Sequence, residues 1–266
     1  MKGIEVENVT VEIPVFDPSR SFRGTLGAML GGKIHSRGNS KKVFVQALED
    51  INFSLKEGDR LGLIGGNGAG KTTLLNILAG VYLPHRGSVR VTGKIMPLFN
   101  ISLGLDIDNT GFENINTMGM YHGLSKKTIN ERREEIIEFT ELGDFIHLPA
   151  RTYSAGMLLR LSFAIVTTLL EPDILLLDEG IGVGDAIFAK KSEERLKSFY
   201  KKLSILVMAS HSNDLIKNMC NKAMLLDHGR IIKYGPVDEV LDYYKDFINA
   251  AQKTVLAPVP LEVCTV

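Results

Sequence analysis

The chain has 266 residues, enough for one large α/β domain with a substantial buried core, and its 31 Lys and Arg are balanced by 31 Asp and Glu. That balance leaves no global field directed at nucleic acid or at an anionic membrane, so any such contact must be local. Cys220 and Cys264 match no metal-binding spacing and read as free thiols of a reducing compartment, and no apolar run reaches the ~18 residues of a membrane span.

The most apolar stretch, Met157 to Gly184, is broken by Arg160, Glu171, Asp173, Asp178 and Glu179. Glu5 and Glu7 stand where a secretory leader would carry an apolar core, so the expectation is a cytoplasmic protein without a leader. The segment GIEVENVTVEI alternates as a half-buried strand does, and Val43 to Leu55 contains further short alternations, which together predict an N-terminal antiparallel β region. Between them Phe16 to Lys42, rich in Gly, Ser and basic residues, reads as an insertion.

RLGLIG is an apolar strand, followed by a Gly-rich turn and the helical KTTLLNILAGV, a strand, phosphate loop and helix unit. SVRVTGKIMPLF predicts two more strands, and helices begin near Phe112, including one over Asn114 to Leu124. After Ser125 a helix places Ile129, Ile136, Ile137 and Thr140 on one face and its charge run in solvent. Met157 to Leu170 predicts a buried helix. ILLLD, SILVMAS and AMLLD then predict buried strands separated by helices, giving a mainly parallel core sheet. A last strand, RIIKY, precedes a helix from Val237 to about Ala250, and residues 251–266 read as a loosely held tail.

The chemistry begins at Gly65-Gly66-Asn67-Gly68-Ala69-Gly70-Lys71-Thr72, which fits G-x-x-x-x-G-K-[ST] between a predicted strand and a predicted helix. Its glycines let backbone N–H groups converge on phosphate oxygens, with the positive end of a helix behind them. Lys71 adds a charge toward β- and γ-phosphates, Thr72 a hydroxyl for Mg²⁺, and Thr73 completes the nucleotide-binding set. By itself this loop leaves kinases, GTPases and many ATPases open. The strand Ile174 to Asp178 ends in a carboxylate suited to the metal side of such a loop, and Glu179 follows as a group able to polarise an attacking water. Tyr153-Ser154-Ala155-Gly156-Met157 precedes the buried helix. There Ser154 is a natural N-cap, and Ala155 and Gly156 leave the helix N-terminus open to an anion.

In this order, YSAGM resembles the ABC signature usually written LSGGQ, Asp185 in GVGDA resembles the D-loop acid, and His211 in ASHS resembles the switch histidine. The chain is therefore identified as similar to the ABC ATPases, a resemblance that extends through about Ala250. It implies an α/β P-loop NTPase fold over residues 1–250, with a helical subdomain at about 100–160 and a tail at 251–266. Within that superfamily Y-S-x-G-M, the T-G-F-E-N of Thr110 to Asn114, and DEGIGVGDAIFAKK resemble the polysaccharide-exporting branch, whose versions read T-G-R-E-N and D-E-x-x-x-V-G-D-x-x-F-x-x-K.

The resemblance further implies catalytic Glu179 and His211, metal contacts from Thr72, Asp178 and the Q-loop position Asn100, and nucleotide contacts from Ser154, Ala155, Gly156 and Asp185 of a facing copy. Asn100 departs from the Glu or Gln common there and has a shorter reach than Gln. Phe16 is the expected adenine-stacking aromatic, with Phe22 second. The implied assembly is a homodimer closed over ATP and Mg²⁺ on the cytoplasmic face of the membrane, with two permease subunits and a lipid-linked polysaccharide such as O-antigen, capsule or teichoic acid as cargo.

Nucleic acid is not an expected partner. The basic residues of the insertion, Arg20, Arg23, Lys33, Arg37, Lys41 and Lys42, would meet glycan phosphate or acidic headgroups, or else form a solvated loop. No carbohydrate-recognising domain is expected after Ala250. The alternatives are a transporter of another substrate or a non-transport ABC ATPase, but neither coiled-coil insertions nor tandem domains are present. A GTPase would need N-K-x-D, and Asn221-Lys222-Ala223-Met224 lacks the acid.

Overall fold

The computed structural model of the chain describes residues 2–15, 33–36, 43–98, 104–178 and 186–255. Phe16, Phe22, Asn100, Glu179, Asp185 and Cys264 lie outside the described residues, as do Arg20, Arg23, Arg37, Lys41 and Lys42. Contacts divide the chain into two compact units: Met1–Glu5, Ser54–Gly58 and Arg90–Val207 form the first, and Val6–Phe53, Asp59–Val89 and Met208–Val266 the second.

Most of the N-terminal β region belongs to the second unit. Strands β1 (Gly3–Val15), β2 (Lys33–Ser36), β3 (Val43–Lys56) and β5 (Arg86–Thr92) form a four-stranded sheet in the order β2-β3-β1-β5. β2 arises inside the segment expected as an insertion and pairs antiparallel with β3, from Lys33 opposite Gln46 to Ser36 opposite Val43. Along β1 the burial of Ile4 and Val6 is out of phase with that of Val9 and Val11. The slip occurs at Asn8, whose φ of 50° is left-handed and whose N–H donates to Asn52 Oδ1 at 2.8 Å. Asn tolerates that conformation where a β-branched residue would not, so the inward face resumes after one residue.

The second unit also contains β4 (Arg60–Ile64), helix α1 (Lys71–Leu78), α6 (Asn213–Met219), β9 (Lys222–Asp227), β10 (Arg230–Pro236) and α7 (Val237–Val255). β4 lies parallel to β9, with Leu61 opposite Lys222 and Ile64 opposite Leu225, and β10 closes this edge antiparallel to β9. Leu61, Leu63, Met224, Leu225 and Leu226 are fully or almost fully buried, as expected for parallel strands covered on both faces. Cys220, at the end of α6, is a buried free thiol whose pKa burial pushes up to about 12, so it stays protonated and unreactive. α7 passes Ala250, where the sequence reading ended it, and continues to Val255.

In the first unit β6 (Ile95–Leu98) and β7 (Ile174–Asp178) run parallel, Ile95 opposite Ile174 and Leu98 opposite Leu177. Strand β8 (Ile205–Ala209) is divided, with Ile205–Val207 in the first unit and Met208 and Ala209 in the second. Four helices complete the first unit: α2 (Gly111–Tyr121), α3 (Lys126–Thr140), α4 (Ala155–Leu169) and α5 (Ala186–Lys201). α3 buries Ile129, Ile136, Phe139 and Thr140, while Ile137 is only half-buried. Phe139 and Thr140 lie three and four residues beyond Ile136 on the same side, whereas Ile137 is turned away by about 100°. No helix among the described residues is long and apolar enough to cross a membrane.

The T-G-F-E-N segment explains where α2 begins. Thr110 is the N-cap and forms a capping box: its Oγ accepts from the Glu113 N–H at 3.1 Å, and the Glu113 carboxylate accepts from the Thr110 N–H at 2.8 Å. The Thr110 N–H and the Thr110 hydroxyl (2.9 Å) both donate to the carboxylate, favour its ionised form and hold the Glu113 pKa below the usual carboxylate range. Asn114, fully buried, staples the preceding loop. Its Nδ2 donates to the carbonyls of Asp106 (2.8 Å), Asn109 (3.3 Å) and Thr110 (3.0 Å), and its Oδ1 accepts from the Asp106 N–H at 2.8 Å.

Two outcomes are expected. Asn114→Leu strands these groups without partners and should lower stability by roughly 3 kcal/mol, read as a shift of the urea midpoint. Because the folded pKa of Glu113 is lowered, its contribution is present above the ordinary carboxylate pKa of about 4.3 and lost as the pH falls through the lower folded value. The melting-temperature gap between wild type and Glu113→Gln should therefore close on acidification.

Candidate functional site: a phosphate loop and a capped helix terminus

In the second unit, β4 delivers the chain into residues 65–70 and α1 takes it away. Gly65 and Ala69 are buried, Gly66, Asn67 and Gly68 exposed, and Gly70 half-buried. At Gly65 φ is 139°, and a Cβ there would stand 2.2 Å from the Leu226 carbonyl oxygen of β9, so only glycine fits. Gly70 precedes α1 in a left-handed conformation without any side-chain cap, and the first turn carries no acidic residue. The start of α1 thus has no capping side chain, and the N–H groups of Thr72 and Thr73 have no intrahelical acceptor. Lys71 is 8% exposed, and its Nζ donates to the carbonyls of Gly65 (2.7 Å) and Gly66 (3.0 Å), which holds the ammonium over the loop. Thr72 is exposed and Thr73 half-buried. Uncapped donors, a helix dipole and a fixed ammonium converge on one place and suit a polyphosphate.

The turn between β9 and β10 supports the loop, a part played by residues that sequence reasoning missed. His228 (φ 45°) and Gly229 (φ 76°) form a two-residue hairpin turn, both left-handed. The Gly229 N–H donates to the Ala69 carbonyl at 3.1 Å, and its own carbonyl accepts from the Glu49 N–H of β3 at 2.8 Å. Arg230 pairs with the Glu49 carboxylate, Nε to Oε2 at 2.9 Å, locking the same junction. The only signal in the sequence was a His-Gly pair between two short apolar runs.

His211 lies in the same unit as the loop. Ser210, just after β8, donates its N–H to the Leu63 carbonyl of β4 at 3.4 Å, and its Oγ accepts from the Ser212 N–H at 3.1 Å. Ser212 then caps α6 by accepting from the Leu215 N–H at 3.3 Å. These bonds fix an exposed His211 beside the strand that leads into the phosphate loop.

Asp178 and the Ser154 turn belong to the first unit. Asp178 ends β7 half-buried, after the fully or almost fully buried Ile174 to Leu177. Ser154 caps α4, its Oγ accepting from the Met157 N–H at 3.2 Å. Ser154 and Ala155 are exposed, Gly156 is half-buried and a Cβ there would meet Ser154 Oγ at 3.8 Å, and the first turn of α4 has no acid. Tyr153, absent from the predicted site, orients this turn by donating its hydroxyl to the Phe145 carbonyl at 2.6 Å. Burial raises the pKa of that phenol and keeps it a donor at neutral pH.

Gly229→Val should force a β-branched residue into a left-handed turn, at a backbone cost of about 1–2 kcal/mol, and press its Cβ to 2.7 Å from the Ala47 carbonyl oxygen. The expected result is a large rise in the Kd for a fluorescent ATP analogue. Gly80→Ala, equally left-handed (φ 73°) but in open space, should lower the melting temperature and leave nucleotide affinity unchanged.

Residues 48–182 match the ABC transporter family model. The O-antigen export system ATP-binding protein RfbE of Yersinia enterocolitica is 43% identical over 87% of this chain and 97% of its own length. RfbB of Klebsiella pneumoniae, also named for O-antigen export, is 35% identical over 91% and 97%. TagH of Bacillus anthracis, named for teichoic acid export, is 41% identical over 76% of this chain, which spans 37% of that longer protein. Among solved structures, an ATP-binding subunit of an ABC transporter superposes with a TM-score of 0.66 at 21% identity, over 91% of this chain and 93% of its own. A dimeric structure of the bacterial ABC transporter cassette MJ0796 gives 0.62 at 21%, over 88% and 98%. With a P-loop whose backbone is shaped for phosphate and an open, Ser-capped signature helix, this chain belongs to the ABC transporter family of ATP-binding proteins.

Proposed function

We propose that the chain hydrolyses ATP to drive export of a lipid-linked surface polysaccharide of the O-antigen, capsule or teichoic acid type, acting at the cytoplasmic face of the cell membrane. The observation that carries this reading is the nearly end-to-end correspondence with the two O-antigen export subunits.

In the proposed cycle the Gly65–Gly70 backbone and the N-terminus of α1 receive the phosphates of ATP, and Lys71 turns from the loop carbonyls to the β- and γ-oxygens. Thr72 and Asp178 offer hard oxygen donors suited to Mg²⁺, and Asn100 is the assigned Q-loop donor. Bound there, the metal would neutralise charge developing on the transferred phosphoryl group. Glu179 orients and deprotonates the attacking water, and His211 contacts the γ-phosphate. Phe16 stacks on the adenine.

The signature turn of a facing copy, Ser154, Ala155 and Gly156, together with Asp185, closes over the same nucleotide. Its exposed, acid-free helix N-terminus supports that role, since it is an anion receptor without an anion from its own chain. A homodimer closed over ATP would then reopen on hydrolysis and move two permease subunits. For the permease we assign a cavity of about 680 Å³ in the first unit, floored by Met96, Leu98, Met118 and Leu124 and flanked by Tyr121 and His122. Burial lowers the His122 pKa and favours the uncharged imidazole at neutral pH, and a lining that also includes Lys94, Arg132 and Glu171 suits an amphipathic helix.

Glu179→Gln should retain ATP binding, lower hydrolysis by at least roughly a hundredfold and elute as an ATP-dependent dimer on size exclusion. A monomer with normal turnover would remove Glu179 from its role. For the cargo, depletion of the protein should make a lipid-linked glycan accumulate inside the cell. Normal surface glycan under depletion, with a different solute retained, would favour a transporter of another substrate.

A further inference from the structure

The motif that ends in F-x-x-K places Phe188 and Lys191 in the first two turns of α5, and neither has a part in the cycle above. Both face a cluster built by three helices of the first unit. The rings of Phe139 (α3), Phe163 (α4) and Phe188 (α5) meet in all three pairs, with centroids 5.9, 5.5 and 6.2 Å apart, and Phe163 and Phe188 are 0% and 1% exposed. Cations cover the rings: Arg160 of α4 stands 4.8 Å above Phe188, and Lys191 of α5 stands 4.7 Å above Phe139.

Glu141 joins the two cations. It follows α3 in a left-handed conformation (φ 56°), uncommon for a residue with a Cβ, and its carboxylate lies 2.8 Å from Lys191 Nζ and 3.9 Å from Arg160. Lys191 also donates to the Phe139 carbonyl at 3.3 Å. One stacked and two edge-to-face ring contacts set the spacing of three helices but allow one to slide or turn against the next. The Lys191 bonds to the Glu141 carboxylate and the Phe139 carbonyl tie α5 to the end of α3, and the Arg160 guanidinium at 3.9 Å adds a longer ion contact from α4. Such partly exposed pairs add little to overall stability and act by biasing register. Arg160 lies in the second turn of α4, close behind the Ser154 cap, and Phe188 in the first turn of α5.

We propose that Glu141, Lys191 and Phe188 form a positioning node that locks the start of α5 to the signature helix and so holds the orientation in which the Ser154 turn meets a facing nucleotide. The node rests on the reading of that turn as a phosphate receptor. None of its residues touches nucleotide. Its loss should therefore be felt in turnover of the closed dimer and not in the phosphate loop, which belongs to the other unit.

The test uses full-length Glu141→Gln, Lys191→Met, Lys191→Arg and Ser154→Arg. For the first two, the melting temperature and the affinity for a fluorescent ATP analogue should stay at wild-type values. Their kcat should fall about tenfold with KM little changed, as expected for displaced reacting groups. Lys191→Arg, which keeps charge and ring contact, should recover at least half of the lost rate, and Ser154→Arg should be inactive. Wild-type kcat in Glu141→Gln and Lys191→Met, with Ser154→Arg inactive, overturns the node alone. So does a loss of kcat that tracks melting temperature or KM, or one that Lys191→Arg does not recover. An active Ser154→Arg overturns the phosphate-receptor reading and the node with it.

Discussion

The loop at residues 65–70 has to stay fixed while the start of α1 is left uncapped, and in this chain it is fixed largely through its carbonyls. Lys71 takes those of Gly65 and Gly66, Gly229 takes that of Ala69, and the Ala69 N–H closes back on Gly66 at 3.3 Å. An uncapped donor in a flexible loop would find an internal acceptor and be lost to a ligand; here the Gly65, Gly66 and Ala69 carbonyls are already engaged. The arrangement also explains why β4 must be bordered by β9. That strand carries Leu226, whose carbonyl excludes any side chain at Gly65, and then turns back through Gly229 to reach the loop.

The first unit solves a related problem at two other helix starts with different chemistry. α2 begins with a reciprocal cap from Thr110 and Glu113 that satisfies its donors internally. α4 begins with Ser154 alone, with Ala155 exposed and Gly156 half-buried behind it. A closed terminus suits a fixed corner of the chain, and an open one is suited to receive an anion. The two caps are joined through Tyr153, whose hydroxyl would stand 2.5 Å from a Cβ at Gly111, the first residue of α2.

Much of this was legible from one-dimensional pattern. Apolar runs bounded by Gly or Asp gave the parallel strands, and the strand, glycine and lysine series gave the loop, because each is local in sequence. The misses have physical causes. In sequence the last helix reads only to about Ala250, yet alanine is the best helix former and α7 continues through Ala251 to Val255. Phe139 was overlooked because its neighbour Ile137 has the same polarity and only the packing of α4 and α5 decides between them. The Glu49, Ala69 and Gly229 lacing involves three residues widely separated along the chain, and no local signal marks backbone bonds of that kind. Phe16, Asn100, Glu179 and Asp185 were placed by motif, and they remain assignments from sequence.

The hairpin at His228 and Gly229 has a practical side. It is short, carries an exposed histidine at its tip and joins two strands at the edge of a sheet, features that ordinarily recommend a position for an epitope tag or a fluorescent-protein graft. In this chain the peptide bonds of that tip are also a brace of the nucleotide cradle. A graft there would spoil the motor while leaving its motif residues untouched, and the resulting loss would be misread as damage to the cargo pathway.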